Sequence, residues 1–338
     1  MKKVAFFDTK QYDREWFDKL DKSFEIKYFE EKLNPENADL AAGCDGAVAF
    51  VNDTINSKTI KILAENGVKV LAMRCSGYNN INFKAAYENG LKVLRVPVYS
   101  PYAVAEHTMA LLLTLNRKIH KAYNRTRDFN FSLNSLTGFD LHGKTIGVIG
   151  TGQIGRIFIK ICQGFGMRVL AYDPYKIDNP DFEYADLDTI YRESDAVSLH
   201  CPLTEDNHHL LNSEAFGKMR SSVYIINTSR GGLIDSEALL EALKSRKIAG
   251  AGLDVYEEEA SLFFEDRSDT IIRDDVLARL VSLPNVILTS HQAFLTHEAL
   301  KNIAEITVGN LEDYFAGKEL KNQVCYDCSD GEATTECN

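Results

Sequence analysis

GFDLHGKTIGVIGTGQIG, residues Gly138–Gly155, contains two overlapping phosphate-binding patterns. GFDLHGKT fits the triphosphate pattern G-x-x-x-x-G-K-[ST], and GTGQIG (Gly150–Gly155) fits the dinucleotide pattern G-x-G-x-x-G. A triphosphate loop needs its Lys-Thr pair at the start of a helix. Here Lys144 and Thr145 lead into the β-branched run IGVI, which is typical of a strand. We therefore interpret the triphosphate pattern as a chance match.

The residues around GTGQIG have the strand–turn–helix order that a dinucleotide loop needs. The strand pattern TIGVI ends at Gly150, and a helix pattern begins directly after the turn. Gly150 permits a tight turn, Gly152 lets the backbone approach a pyrophosphate, and Gly155 lets the helix pack closely on the strand. The alternative is a glycine-rich turn that binds nothing. The predicted cofactor-binding loop comprises Gly150, Gly152, Gln153, Ile154 and Gly155.

The next strand pattern, MRVLAY, ends at Asp173, 18 residues after Gly155. This is the expected place for a carboxylate that binds both hydroxyls of the dinucleotide ribose. Its negative charge would repel a 2′-phosphate, so the sequence predicts NAD rather than NADP as the cofactor.

Short apolar strand patterns alternate with helix patterns along the chain, which is typical of parallel sheets covered by helices. Strand patterns run from VAFF to KVLRV in the first part of the chain and resume from Lys144, which predicts an α/β protein of two parallel-sheet domains. We place one boundary near Ser100, where a helix begins, and a second between Phe294 and Ala299. A last helix, Glu298–Phe315, is expected to return to the first domain.

The composition is that of an ordinary globular protein, with 338 residues, 45% hydrophobic and 26% charged. The net charge of −11 argues against nucleic acid and anionic membranes as partners, because both need a basic surface. The start, MKKVAFFDTK, has an apolar run too short for a secretory signal and is interpreted as a first strand. Seven cysteines and no stretch of membrane-spanning length predict a cytoplasmic protein.

Cys325 and Cys328 form a C-x-x-C pattern in the polar tail NQVCYDCSDGEATTECN. No second cysteine pair or histidine pair with ligand spacing accompanies them, so we expect no metal site. We interpret the pattern as an exposed tail with incidental thiols.

Functional side chains follow three strand patterns of the second domain. Arg230 follows SVYIIN, the acidic run Glu257–Glu259 follows GAGLDV, and His291 follows NVILTS. Ligands bind beyond the carboxyl ends of parallel strands, so these groups are expected at one edge. Arginine binds a carboxylate in a bidentate manner, histidine can protonate a ketone oxygen as hydride arrives, and a carboxylate can support the imidazolium. Each residue alone has an ordinary structural explanation, but together they favour 2-keto acid reduction. Spacing does not decide which glutamate faces His291.

The motifs GVIGTGQIG, SLHCPLT, NTSRGGLID, LDVYEEE and SHQAF resemble those of the D-isomer-specific 2-hydroxyacid dehydrogenases. Within that family, the acidic and aromatic stretch after Glu259 resembles the fermentative D-lactate dehydrogenases of bacteria. The resemblance covers about Lys3 to Asn322. It implies a Rossmann-like NAD-binding domain, residues 101–295, inserted into a flavodoxin-like substrate domain, residues 1–100 and 296–338.

The resemblance also implies residue roles. Arg230 looks like the arginine that binds substrate and polarises its carbonyl, His291 like the acid–base histidine, and Glu259 like the glutamate paired with it. MRCSGYNNIN resembles the loop whose backbone N–H groups bind the substrate carboxylate, with Ser76 and Gly77 as donors. Further implied contacts are Phe50 and Tyr99 in the substrate pocket, Cys201, Pro202 and Thr228 in the cofactor site, and Asp254 at the nicotinamide carboxamide.

We therefore expect reversible NADH-dependent reduction of pyruvate to D-lactate, because the bulk of Phe50 and Tyr99 suits a short substrate side chain. Two alternatives stay open, a reductase for a bulkier 2-keto acid and a dinucleotide-sensing protein without catalysis. Domain closure would exclude water from the reacting groups. The family implies a homodimer or tetramer, and the apolar helix Ala103–Leu115 is expected to suit an interface between domains or subunits.

Overall fold

The fold is that of a computed structural model, which describes residues 1–259, 262–326 and 333–335. The chain forms two units, one of Met1–Ser100 with Leu295–Asn338 and one of Pro101–Phe294. The helices are α1 (Gln11–Phe17), α2 (Ser57–Glu65), α3 (Phe83–Glu88), α4 (Pro101–Arg117), α5 (Ile119–Arg127), α6 (Gln153–Gly164), α7 (Leu187–Glu193), α8 (Ser213–Lys218), α9 (Ser236–Lys244), α10 (Asp275–Ser282) and α11 (His297–Phe315). Among the residues described, no helix combines the length and apolar character needed to span a membrane.

Two sheets, one in each unit, contain the strands. These are β1 (Lys2–Phe6), β2 (Phe24–Tyr28), β3 (Gly46–Ala49), β4 (Val70–Met73), β5 (Lys92–Leu94), β6 (Thr145–Ile149), β7 (Arg168–Tyr172), β8 (Glu183–Tyr184), β9 (Ala196–Leu199), β10 (Tyr224–Asn227), β11 (Gly250–Leu253), β12 (Val286–Leu288), β13 (Gln323–Tyr326) and β14 (Ala333–Thr334). The sheet of the first unit has the order β14-β13-β5-β4-β3-β1-β2. Its strands β1 to β5 are parallel, and their order 2-1-3-4-5 is the flavodoxin-like one.

The sheet of the second unit has the order β12-β11-β10-β9-β6-β7-β8, and its neighbouring strands are parallel. Numbered within the unit, this is the dinucleotide-binding order 3-2-1-4-5-6 with one more strand at the edge. The strand order reverses between β6 and β9, so the loops that follow these two strands open at the switch point. The predicted α/β fold with two mostly parallel sheets is confirmed.

Helix α11 completes the hydrophobic core of the first unit. Its residues Ala304, Val308 and Leu311 are at most 5% exposed and belong to one buried cluster with Phe6 of β1 and Val48 of β3. The chain therefore returns to the sheet with which it began, as expected for its last helix.

Helix α4 is buried within its own unit. Ala105 and Leu112 are fully buried, and they share a core cluster with Val148 of β6 and Phe158 of α6. Part of the apolar pattern of Ala103–Leu115 is therefore covered by the core of the same unit. The most exposed apolar side chains of this region follow α5, where Phe129, Phe131 and Leu133 are 84%, 71% and 80% exposed.

The segment Gln323–Tyr326 is part of a sheet, so its interpretation as an exposed tail is wrong. As β13 it pairs antiparallel with β5, and Val324 is only 2% exposed. Cys325 is disulfide-bonded rather than a free thiol. One apolar residue among polar neighbours is too weak a pattern to predict an edge strand. Cys328 lies outside the described residues.

GFDLHGKT forms a loop that leads into β6, which begins at Thr145. The loop is held by Asn116 of α4, whose Oδ1 accepts from the Phe139 N–H at 2.8 Å and whose Nδ2 donates to the Phe139 carbonyl at 2.7 Å. A Cβ at Gly138 would lie 2.6 Å from the Asn116 carbonyl oxygen, so packing explains this glycine. The triphosphate pattern is a chance match, as the strand pattern predicts.

Candidate active site

The loop between β6 and α6 is tightly packed at two glycines and open at the third. Gly150 has a φ of +101°, and a Cβ there would lie 2.5 Å from the carbonyl carbon of His200. A Cβ at Gly155 would lie 2.0 Å from the Gly150 carbonyl oxygen, so only glycine lets α6 start this close to β6. Gly152 caps α6, and a Cβ there would meet nothing within 4 Å. A helix N-terminus facing open space suits a pyrophosphate.

The other predicted cofactor residues lie on the loops around this helix start. Gln153 and Ile154 form the first turn of α6, and Asp173 directly follows β7. The Asp173 carboxylate accepts from the Thr151 N–H at 2.7 Å and from the Tyr175 N–H at 2.9 Å. It is therefore fixed next to the glycine loop, where this acceptor fits a dinucleotide whose ribose hydroxyls are free to donate.

The loops after β9 and β10 are joined by hydrogen bonds. The Ser229 hydroxyl donates to the Cys201 carbonyl at 2.6 Å, and the hydroxyls of Thr228 and Thr108 are 2.7 Å apart. Burial raises the pKa of the Cys201 thiol to about 11, so this sulfur stays protonated near neutral pH. Pro202 is exposed beside it, and its carbonyl accepts from Asn207.

The backbone at Arg230 is held by hydrogen bonds that do not involve the Arg230 side chain. The Asn227 side chain donates to the Arg230 carbonyl at 2.8 Å and accepts from the Ser229 N–H at 3.0 Å. The half-buried guanidinium donates through Nη1 to the Ser229 carbonyl at 2.8 Å. Since a guanidinium has five N–H donors, this bond leaves donors for a substrate carboxylate.

His291 pairs with Glu259, so the structure decides which glutamate faces the histidine. His291 Nδ1 lies 2.7 Å from Glu259 Oε1, and the two side chains are 18% and 15% exposed. A carboxylate at Nδ1 fixes the ring and leaves Nε2 for proton transfer. Glu259 Oε2 accepts from the Tyr256 N–H at 2.9 Å, which orients the carboxylate in turn. His200 also follows a strand, but burial lowers its pKa to about 3, so that ring is neutral.

Asp254 is fully buried and holds the loop that carries His291. Its carboxylate accepts from the Thr289 hydroxyl at 2.5 Å and from the N–H groups of Gln292 and Ala293 at 2.9 and 2.8 Å. Burial alone would raise the pKa of Asp254, but hydrogen bonds from His107, Thr289 and Ala293 outweigh it and hold the pKa below its ordinary value. These bonds favour a positioning role for Asp254.

Three donor atoms on His208, His209 and Glu257 lie within 4.8 Å of one another. His209 Nε2 is 2.5 Å from Glu257 Oε1, which is a hydrogen bond. The two imidazole rings stack with centroids 3.9 Å apart and planes inclined by 27°. A metal ion lies near the plane of each imidazole that binds it, so these stacked rings cannot both direct a lone pair at one ion. The cluster is a hydrogen-bonded pair with a stacked neighbour.

Gly231 brings the Arg230 loop into direct contact with the Glu259 loop. A Cβ at Gly231 would lie 2.1 Å from the carbonyl carbon of Tyr256 and 2.4 Å from the Glu257 nitrogen. Both contacts are with backbone, which cannot move aside cheaply. This close approach places the candidate substrate arginine and the candidate acid–base pair on adjoining loops.

Replacing Gly231 by alanine is therefore expected to destabilise the protein. Overpacking against backbone costs about 1–3 kcal/mol or more, which corresponds to a melting temperature lower by roughly 3–10 °C. Thermal unfolding followed by circular dichroism measures the shift. Gly217→Ala is the matched control, because a Cβ at this position in α8 would meet nothing within 4 Å. A G231A melting temperature equal to that of G217A would contradict the packing argument.

The predicted substrate residues of the first unit lie at the carboxyl edge of its sheet. Phe50 follows β3, is 3% exposed, and lies with its ring centroid 3.9 Å from the buried Arg74 guanidinium. Ser76 and Gly77 follow β4, and the Ser76 hydroxyl donates to the Pro97 carbonyl at 3.2 Å. Tyr99 is half-buried, and its carbonyl accepts from Asn302 of α11 at 2.6 Å.

Sequence reasoning missed Thr151, His107 and His209 as residues that support the site. Thr151 is the second residue of GTGQIG, a position that the glycine pattern leaves unspecified. His107 Nε2 lies 3.4 Å from Asp254, and His209 bonds Glu257. A signal for His209 exists only in three dimensions, because 48 residues separate the two partners.

Residues 109–293, more than half of the chain, match the family described as D-isomer specific 2-hydroxyacid dehydrogenase, NAD binding domain. The chain is 51% identical over 327 residues to D-lactate dehydrogenase of Escherichia coli strain K12, covering 95% of this chain and 99% of that one. The apo structure of the Escherichia coli enzyme matches with a TM-score of 0.87 at 49% identity, covering 95% and 99% of the two chains. A pyruvate reductase structure from Chlamydomonas reinhardtii matches with a TM-score of 0.89 at 41% identity, covering 95% and 98%.

Proposed function

The chain belongs to the D-isomer-specific 2-hydroxyacid dehydrogenase family, and from that membership we propose that it reduces pyruvate to D-lactate with NADH. It is an oxidoreductase with an NAD-binding domain. The observation that carries the proposal is the His291–Glu259 pair, at 2.7 Å, on a loop that adjoins the Arg230 loop. Relatives named as D-lactate dehydrogenase and pyruvate reductase support pyruvate as the substrate.

The proposed roles follow from the donors and acceptors at each position. Arg230 binds the substrate carboxylate and polarises the ketone. NADH, whose pyrophosphate and ribose would be held at Gly152 and Asp173, would supply a hydride to the ketone carbon. His291, charged in the reactive state, gives its Nε2 proton to the ketone oxygen, and Glu259 stabilises the imidazolium before that transfer. The neutral ring then regains a proton from solvent, and the reverse reaction uses it as a base. The backbone N–H groups of Ser76 and Gly77 are proposed as further donors to the carboxylate.

Comparing kcat/KM for three 2-keto acids with NADH tests the function. We expect pyruvate to exceed 2-ketoisocaproate and phenylpyruvate by about tenfold or more, because Phe50 and Tyr99 restrict the substrate side chain. Chiral chromatography of the product should give the D-isomer. A higher value for either bulkier acid would favour the broader reductase. Binding of NADH without consumption with any of the three would favour a sensing protein.

We further propose that chains associate as homodimers or tetramers, since the second unit exposes the large apolar side chains of Phe129, Phe131 and Leu133. Light scattering of the full chain measures the mass. We also propose that the protein is cytoplasmic and acts in fermentation. The net charge of −11 supports the absence of nucleic-acid and membrane partners.

A further inference from the structure

A chain of hydrogen bonds ends on the carboxylate of Asp173. The Ile177 N–H donates to the Tyr184 hydroxyl at 3.1 Å, and that hydroxyl lies 3.0 Å from Thr151 Oγ1. Thr151 Oγ1 is in turn 3.0 Å from Asp173 Oδ2, and the Thr151 N–H donates to the same oxygen at 2.7 Å. Thr151 is 3% exposed, and Asp173 and Tyr184 are half-buried.

The direction of this chain follows from the number of protons available. An ionised carboxylate only accepts, so Thr151 must give its single hydroxyl proton to Asp173. Thr151 can then only accept from Tyr184, which in turn accepts from the Ile177 N–H. All bonds therefore point toward Asp173, an arrangement that strengthens each of them.

The bonds also restrain the orientation of the carboxylate. Oδ2 accepts twice from Thr151, and Oδ1 accepts from the Tyr175 N–H at 2.9 Å. A carboxylate held at both oxygens cannot rotate or withdraw when a second negative charge approaches. A 2′-phosphate would therefore meet a charge that is fixed in place, whereas a mobile aspartate could reduce the repulsion by moving.

We propose that Thr151 is a specificity-determining residue, which discriminates against NADPH by holding the Asp173 carboxylate in place. The inference rests on the proposed role of Asp173 at the ribose. Tyr184 is a positioning residue that acts through Thr151. A charged group beside this chain of bonds is Lys176, whose ammonium lies 5.5 Å from the Tyr184 ring centroid. It is retained in every variant below, so any attraction of this cation for a 2′-phosphate stays the same.

Calorimetric titration of Thr151→Val with NADH and with NADPH tests the proposal. Valine keeps the shape and the backbone bond but removes the hydroxyl. The ratio of the dissociation constant for NADPH to that for NADH should therefore fall about tenfold. Thr151→Ser retains the hydroxyl and should keep the ratio within about twofold of wild type, and Tyr184→Phe should give an intermediate ratio. These titrations need no turnover, so they hold whichever 2-keto acid is reduced.

If Thr151 had only a structural role, T151V would weaken the binding of both cofactors equally and leave the ratio unchanged. That result would overturn the proposal. A fall of the same size in T151S would also overturn it, since the hydroxyl is present there.

Asp173→Ala tests the role of Asp173 separately from that of Thr151. If D173A keeps the wild-type ratio, the proposed role of Asp173 fails, and the inference for Thr151 fails with it. If only D173A changes the ratio, the role of Asp173 stands and the inference for Thr151 alone is refuted.

Discussion

Asparagine in place of His291 is expected to lower kcat for pyruvate reduction about 10³-fold while leaving NADH binding unchanged. Asparagine can accept and donate hydrogen bonds at this position but cannot deliver a proton to the ketone oxygen. It is also the substitution that the backbone tolerates, because His291 has a φ of +54° and asparagine adopts this conformation more readily than alanine. Steady-state kinetics give kcat, and fluorescence titration gives the NADH dissociation constant.

His208→Asn is the matched control for the His291 variant. His208 lies in the same unit, is exposed, and makes its ring contact with His209 rather than with Glu259. We expect H208N to stay within about threefold of wild-type kcat, because exposed substitutions of this kind have small effects. If H291N kept more than a tenth of wild-type kcat, another group would have to supply the proton, and the assignment of His291 would be wrong.

The sequence predicts the parts of this site that depend on local order. Strand–turn–helix order identifies the loop at Gly150, and the position of Asp173 follows from the length of one helix and one strand. Parallel strands place Arg230, Glu257–Glu259 and His291 at one edge because their carboxyl ends align. The local pattern of Gly231 shows no need for glycine, since that need comes from the distant Tyr256 backbone.

Contacts between distant segments are what the sequence leaves open. Spacing alone does not decide which of Glu257, Glu258 and Glu259 pairs with His291. The family motif or the structure is needed to identify Glu259 as the partner. The apolar pattern of Ala103–Leu115 predicts a buried helix, but it does not identify the core residues of the same unit against which α4 packs. Hydrophobicity measures the tendency to leave water, and it carries little information on which surface provides the cover.

Lysine in place of Arg230 is expected to lower kcat/KM for pyruvate about 10²–10³-fold, with a higher KM and a lower kcat. Lysine keeps the positive charge but presents it as a point, so it cannot bind a carboxylate through two parallel N–H bonds. The fold should persist, because Asn227 holds the Arg230 backbone without using the side chain. Steady-state kinetics with varied pyruvate at saturating NADH separate the two constants.

Arg192→Lys is the matched control for R230K, since the Arg192 side chain is 60% exposed on α7 and forms a surface ion pair with Asp188 at 3.9 Å. Its kcat/KM should stay near wild type.

The variants H291N and R230K should also differ from each other in how they bind a substrate analogue. H291N should change kcat with little effect on the binding of oxamate, an unreactive pyruvate analogue, whereas R230K should weaken oxamate binding by removing the paired N–H donors. Equal oxamate affinity in R230K and wild type would show that another group holds the carboxylate.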